Sequence, residues 1–170
     1  MVRRIVAIIY AESKGGERTL RSLLRQNTPL DQIIYIDDGI ESAIDKKSVD
    51  YHKSQKKLGF LHHLYTTVHQ LADEEVVILI NGGEELTDEK VVGTLKTLYD
   101  QEGVWITHGG QEGLMKSFYA KVFKKLHITQ FLSEGVFAKE KMESLFMLPM
   151  LEICKGKERI LSKAYYFSIE

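Results

Sequence analysis

The chain carries one cysteine, two prolines and a formal net charge of −1, and it has no long apolar run. A lone Cys154 excludes an intramolecular disulfide and suits a reducing, cytoplasmic compartment. It borders the apolar run 145–153, where a small buried hydrophobe is expected rather than a reactive thiol. The near-zero net charge removes any global electrostatic case for nucleic acid or an anionic membrane as a partner. No segment approaches the ~20 apolar residues that a transmembrane helix needs. Arg3-Arg4 precede the apolar run 5–10, but that run is too short for a signal peptide and no small-residue cleavage site follows it. Repeats, low-complexity tracts and linkers are also missing. Pro29 and Pro149 sit at element edges or at a helix kink.

What is present is globular in composition. A chain of 170 residues, 44% hydrophobic and 28% charged, fits one domain that buries roughly 70% of its unfolded surface. Short β-branched runs alternate with longer amphipathic ones, which predicts an α/β fold: a mostly parallel, Rossmann-like sheet with helices on both faces. Strands are expected at 5–10, 33–36, 76–80 and 104–107, with a last one around 160–167. Leu20, Leu23 and Leu24 mark a first helix, and Leu61, Leu64, Val68 and Leu71 mark another over 58–72. The polar stretch 40–55 reads as a surface helix, and 116–126 and 140–155 read as amphipathic helices. Thr87, followed by Asp88 and Glu89, reads as the N-cap of a helix running to about residue 100.

In an open parallel sheet, ligands bind beyond the carboxyl ends of the strands. Tyr10, Asp37, Asp38, Asn81 and Glu84 all fall there. The Asp37-Asp38-Gly39 step has two local readings. Its carboxylates can accept hydrogen bonds from a ligand's N–H or hydroxyl groups, or Asp38 can cap the following turn. Tyr10 can likewise stack on a ligand ring or fill the core. His62 and His63 are adjacent, so on a helix they diverge by about 100° and do not suit a shared metal. His108 is a lesser candidate for lining the cleft. Neither Gly82-Gly83 nor Gly109-Gly110 has the spacing of a dinucleotide or P-loop signature.

The order of these pieces resembles the family 2 nucleotide-sugar glycosyltransferases. The run 5–10, then Leu20-Arg21-Ser22-Leu23-Leu24-Arg25-Gln26, then 33–39 is similar to the family's opening strand, Leu-x-Ser-Leu-x-x-Gln helix and strand closing on Asp-Asp-Gly. Lys57-Leu58-Gly59 looks like its basic-x-Gly helix start, and 76–86 looks like the strand carrying its Asp-x-Asp motif. Ser117-Phe118-Tyr119-Ala120 and 145–152 have counterparts in one bacterial branch, so the likeness covers nearly the whole chain.

The resemblance implies an A-type glycosyltransferase fold, a UDP-sugar-like donor and a divalent metal, Mn²⁺ or Mg²⁺. Carried over by position, Tyr10 lies against the donor base and Asp38, with Asp37 beside it, reads that base. Lys57 and Asn81 lie near the nucleotide, and Glu143 is the general base on the acceptor hydroxyl. The departures fall on the metal. Where the family has Asp-x-Asp-Asp, this chain has Asn81-Gly82-Gly83-Glu84, which leaves Glu84 or Glu85 as the substitute ligand, each at a shifted position. The family's turn proline is Ile8 and its asparagine is Ala11, and the stretch between Gly110 and Lys116 is shorter than in its relatives. Three functional readings follow: a transferase, a metal-independent transferase in which lysines replace the cation, and an inactive relative that binds a nucleotide or a protein.

Overall fold

Three runs of aliphatic and β-branched residues form the centre of the sheet in this computed structural model, which describes residues 3–109, 115–140, 142–161 and 166–168. They are β1 (Ile5–Ala11), β2 (Gln32–Asp37) and β4 (Val76–Asn81), with a short strand β3 (Asp50–Lys53) beyond β2. Every residue of β1 is buried, as expected for a strand covered on both faces. β1 pairs in parallel with both β2 and β4, and β2 pairs in parallel with β3. The seven-stranded sheet is completed by β6 (Ile106–His108), β7 (Lys116–Tyr119) and β10 (Glu158–Ile160), in the order β10-β6-β7-β4-β1-β2-β3. β7 alone opposes its neighbours, antiparallel to β4 and β6. The chain leaves β1 in one direction for β2 and β3 and returns on its other side at β4. The carboxyl ends of β1 and β4 therefore mark the switch point where such sheets hold ligands.

Register decides which helix lies on which face. Ile9 pairs with Tyr35 and Tyr10 with Ile36, so Tyr35 and Tyr10 face opposite sides of the sheet. The Tyr35 hydroxyl abuts Gly16 at the start of α1 (Gly16–Leu24), so α1 covers the Tyr35 face. On the Tyr10 face lie α2 (Phe60–Gln70), α4 (Ala120–Phe123) and α5 (Ser144–Ile153). Rings join them: Tyr10 to Phe60 at 5.2 Å, Phe60 to Phe146 at 6.0 Å, and Phe146 to Phe123 at 6.1 Å between centroids. A helix α3 (Val91–Gln101) meets the sheet through Tyr99, whose hydroxyl lies 3.0 Å from Ser117 Oγ. Two small antiparallel pairs complete the chain. They are β5 (Glu84–Leu86) with β11 (Tyr166–Ser168), and β8 (Leu132–Ser133) with β9 (Val136–Phe137). No helix among the described residues is long and apolar enough to cross a membrane.

The sheet and its helical cover agree with the pattern of the sequence, but four local expectations need correction. The stretch 40–55 is not a helix. It is a loop, a single 3-10 turn at Lys46–Ser48 and edge strand β3, held because Tyr51 donates to Asp37 at 2.6 Å. The stretch 116–126 begins as β7, because Ser117 and Phe118 complete the pairing of β6 with β4, and only Ala120–Phe123 is α-helical. α5 starts at Ser144 rather than 140, and Pro149 lies inside it. Thr87 does not cap α3. That helix starts at Val91 after Lys90, whose amide donates to the Asp88 side chain at 2.8 Å. Of the last expected strand, residues 162–165 lie outside the described residues, and β10 and β11 flank them. Cys154 is buried, and burial pushes its thiol up to about 11, which makes it inert as a nucleophile.

Candidate functional site

The carboxyl edge brings Tyr10, Asp38 and Asn81 to the ends of three adjacent strands. Asn81 ends β4 in register with Tyr10, and Asp38 follows β2. Asp38 is 1% exposed and sits at the centre of a closed cluster. It accepts from the Tyr10 hydroxyl at 2.8 Å and from the amides of Leu58 and Gly59, each at 3.1 Å, and His63 Nε2 lies 3.1 Å away. A carboxylate has about four acceptor directions, and these contacts use them. Burial raises the Asp38 pKa, but the Leu58 amide, Tyr10, His63 and the Gly59 amide outweigh it and bring it below the ordinary value. Burial, and then the bond to Asp38, push the Tyr10 phenol upward.

Asp37 is also an internal group. It accepts from the amides of Ile40, Glu41 and Ser42 and from the Tyr51 hydroxyl, and so shapes the loop after β2. Burial opposes ionisation there, yet the bonds from Tyr51, Ser42 and Ile40 prevail and hold the carboxyl at about 2. Lys57 is exposed and runs over Gly39. His63 was missed as a partner of Asp38, because adjacency to His62 spoke only against a metal. His63 Nε2 lies 3.0 Å from Ser54 Oγ, but it uses the same nitrogen toward Asp38, so the three do not form a relay to a nucleophile.

At the end of β4, Glu84 folds back on its own turn. Its carboxylate accepts from the Asn81 amide at 2.8 Å and from Asn81 Nδ2 at 3.1 Å. The Asn81 side-chain oxygen is buried and has no hydrogen-bond partner among the described residues. Thr19 of α1 clamps this turn: its hydroxyl donates to the Asn81 carbonyl at 3.2 Å and accepts from the Gly83 amide at 2.9 Å. The glycines let the loops touch. A Cβ on Gly15, whose φ is +129°, would lie 3.1 Å from Gly83 Cα, and one on Gly82 would lie 3.3 Å from Ala11 Cα.

Glu143 precedes α5, three residues before Phe146, and so stands on the Tyr10 face of the sheet. It pairs with Lys116 Nζ at 2.7 Å, and the two side chains are only 7% and 4% exposed. Lys116 opens β7 opposite Leu79, two residues before Asn81, which sets the pair at the same carboxyl edge. Thr107 pairs with Ser117, so His108 adjoins Lys116, and burial and the Lys116 charge lower its pKa against the pull of Glu158. Lys116 was not singled out from the sequence. Its signal, a lone cation heading a run that completes the sheet, was hidden by reading 116–126 as a helix.

A cavity of about 620 Å³ lies on the Tyr35 face, lined by Lys14, Gly16, Arg18, Tyr35, Ser42 and Gly83 among others. On the other face, Tyr10 is 3% exposed beneath Phe60 and the 54–59 loop.

No family model and no curated protein matches this chain. Solved structures do. The mannosyltransferase PcManGT from Pyrobaculum calidifontis, in complex with GDP-Man and Mn²⁺, is similar with a TM-score of 0.67 at 12% identity, over 95% of this chain and 55% of that one. The S. aureus TarS 1-349 structure is similar with a TM-score of 0.69 at 12% identity, over 97% of this chain and 60% of that one. The fold matches the A-type glycosyltransferases. It also matches a nucleotidyltransferase, 4-diphosphocytidyl-2C-methyl-D-erythritol synthase, with a TM-score of 0.64 at 12% identity, over 99% of this chain and 93% of that one. TarS has been solved with UDP and with UDP-GlcNAc. The chain spans about half of the mannosyltransferase, three fifths of TarS 1-349 and 37% of the longer TarS chain.

The Mn²⁺ of the mannosyltransferase has no fitting counterpart among the described residues. Mn²⁺ and Mg²⁺ are held by hard oxygen ligands, usually with one or two carboxylates free to coordinate. Here the Glu84 carboxylate is turned onto Asn81, Gly82 and Gly83 bear no ligand atoms on side chains, and Asn81 offers one neutral oxygen. Among the described residues, no group of three or more His, Cys, Asp or Glu is placed to hold a metal ion.

Proposed function

We propose that this chain binds a nucleotide-activated sugar, UDP-sugar-like, at the carboxyl edge of its sheet and transfers the sugar to an acceptor hydroxyl, with Glu143 as general base. The observation that supports this reading best is the placement of Glu143. It is a buried carboxylate on the Tyr10 face of the edge, partnered by a buried ammonium, in a fold shared with nucleotide-sugar transferases. In the reaction, Glu143 takes the acceptor proton as the acceptor oxygen bonds to the sugar's anomeric carbon. The bond from that carbon to the diphosphate breaks, the electron pair leaves with the nucleoside diphosphate, and the anomeric centre inverts. The donor base lies against Tyr10 near Asp37 and Asp38, with Lys57 and Asn81 beside the nucleotide. Because Asp38 already meets four donors, a base engages it only by displacing the Leu58 and Gly59 amides or the Tyr10 hydroxyl.

A second reading, nucleotide binding without turnover, is favoured by the same saturation of Asp38 and by the withdrawal of Glu84 onto Asn81. One experiment separates the two. A panel of nucleotides and nucleotide sugars is titrated by calorimetry, and each donor that binds is assayed for transfer and for slow hydrolysis. Turnover by the wild type that disappears in Glu143→Gln, with binding retained, is the expected result. Equal, negligible turnover by both proteins on every bound donor would leave only the binding role.

A further inference from the structure

We infer that the amino edge of the sheet carries a phosphate-binding site, formed by Lys125 and Lys157 beside Trp105 and separate from the transfer site. Three segments build it. Trp105 immediately precedes β6, and its amide donates to the Lys157 carbonyl at 2.8 Å, just before β10 joins β6 in parallel. The Trp105 carbonyl accepts from the Tyr119 amide at 3.2 Å, where β7 gives way to α4. Lys121 lies in α4 and Lys125 just after it. Tyr119 pairs with Val76, the first residue of β4, so the cluster stands at the opposite edge from Asp38 and Glu143.

Ammonium groups gather on this one indole. Lys157 Nζ lies 3.6 Å from the ring centroid, Lys121 Nζ 5.0 Å and Lys125 Nζ 6.0 Å. Each is attracted by the ring, but the three repel one another. Burial, then Glu158, raise the Cys154 thiol, while Lys125 and Lys157 both act to lower it, so the two cations converge on one buried sulfur. Neighbouring cations have acids: Lys121 has Glu74, Lys124 has Asp73 and Arg159 has Glu102. Among the described residues, Lys125 and Lys157 have none, and the Trp105 indole N–H has no acceptor. The pairing of charges thus stops at the ring. What the cluster lacks is an anion with several acceptor atoms. Phosphate has that chemistry, since it carries up to two charges near neutral pH and its oxygens can meet both ammoniums at once. The chain's net charge of −1 conceals this local excess. Positions 1–115 hold 13 basic and 18 acidic residues, a charge of −5, and positions 116–170 hold 10 and 6, a charge of +4. The phosphate can come free in solution or on a lipid headgroup, and the same lysines would meet either.

Trp105 is the chain's single tryptophan, so its fluorescence reports on this edge alone. Emission is followed while the protein is titrated, at constant ionic strength, with inorganic phosphate, with pyrophosphate, and with phosphatidylcholine vesicles that contain or lack phosphatidic acid. A saturable change is expected below about 1 mM pyrophosphate, with none from chloride. Lys125→Gln/Lys157→Gln should weaken that response at least about tenfold, whereas Lys46→Gln/Lys47→Gln, on the exposed turn before β3, should leave it as in wild type. Calorimetry on the same proteins repeats the comparison for binding that does not alter emission. Saturation by phosphatidic acid vesicles and not by the free anions would assign the phosphate to a lipid headgroup. A response that chloride reproduces, the absence of saturable binding by both readouts, or an emission change that survives loss of both lysines would each overturn the site. Those results leave UDP binding and turnover at the opposite edge untouched, so this site and the proposed function stand or fall separately.

Discussion

The carboxylates on the two sides of the carboxyl edge are held in opposite ways. On the β1–β2 side, Asp37 and Asp38 are surrounded by donors, mostly amides and hydroxyls of nearby loops, and each oxygen is engaged. On the β7–α5 side, Glu143 meets the Lys116 ammonium, which arrives from an element far off in sequence. A carboxylate ringed by neutral donors acts as a post that shapes loops, and a ligand must unseat something to reach it. A buried carboxylate paired with a buried ammonium depends on both charges being kept. The first arrangement ties loops to the sheet edge, and the second ties a helix to a strand by charge.

Substitutions sharpen this contrast. The largest effect is expected on the β7–α5 side, where Lys116→Ala removes the ammonium from a buried Glu143 carboxylate and should cost about 3–5 kcal/mol in urea unfolding. Replacing the pair by Met and Leu should recover most of that loss. A cost below about 1 kcal/mol for Lys116→Ala would show that the pair behaves as a solvated one. On the other side, Asp38→Ala leaves the Leu58 and Gly59 amides and the Tyr10 hydroxyl without their acceptor. It should cost about 2–3 kcal/mol by the same measurement and weaken UDP binding about tenfold. UDP affinity unchanged by Asp38→Ala would remove that residue from the nucleotide site.

The smallest effect is pH-dependent and belongs to Asp37. Its carboxyl is held at about 2 in the fold against an ordinary value of 3.8. A depressed pKa stabilises the fold above the unfolded value and loses that contribution as pH falls toward the folded one. About 2 kcal/mol should therefore be present above pH ~4 and vanish between pH ~4 and ~2. In Asp37→Asn this segment of the stability–pH curve should be shallower by that amount, and a curve parallel to wild type would assign the acid loss to other carboxylates.

The contrast also explains what could be read from the amino acids alone. β1, β2 and β4 are continuous aliphatic runs because both faces of each are covered, so their positions and the Asp-Asp-Gly step at the edge stand out. β3 is short, polar and at the rim, and its place depends on Tyr51 reaching Asp37, which no local pattern announces. β7 has the opposite difficulty: the spacing of its apolar residues continues into α4 and imitates one helix, while the β4 and β6 ladders decide the matter. The Asp37-Asp38 pair was legible as a candidate, but its saturation was not, since the donors come from the 40–42 and 58–63 segments. Glu143 could be placed only by resemblance. Its partner Lys116 could not be placed at all, because an ion pair between a strand and a distant helix leaves no periodic trace.

The back-to-back glycines of the β1–α1 loop and the β4–β5 turn bear on how such a site changes over generations. An aspartate at position 82 would drive its Cβ to 3.3 Å from the β1 backbone, and one at 83 would have to adopt a φ of +107° that side chains rarely tolerate. The first step is hindered by the loop contact and the second by the backbone of the turn itself, so a coordinating carboxylate at either place requires a prior shift of the chain, which by itself confers nothing. Single mutations toward metal binding thus pass through a less stable protein, whereas drift that keeps both glycines is free. The contact works as a ratchet: while these loops stay closed on each other, a coordinating side chain at position 82 comes only at the expense of the fold.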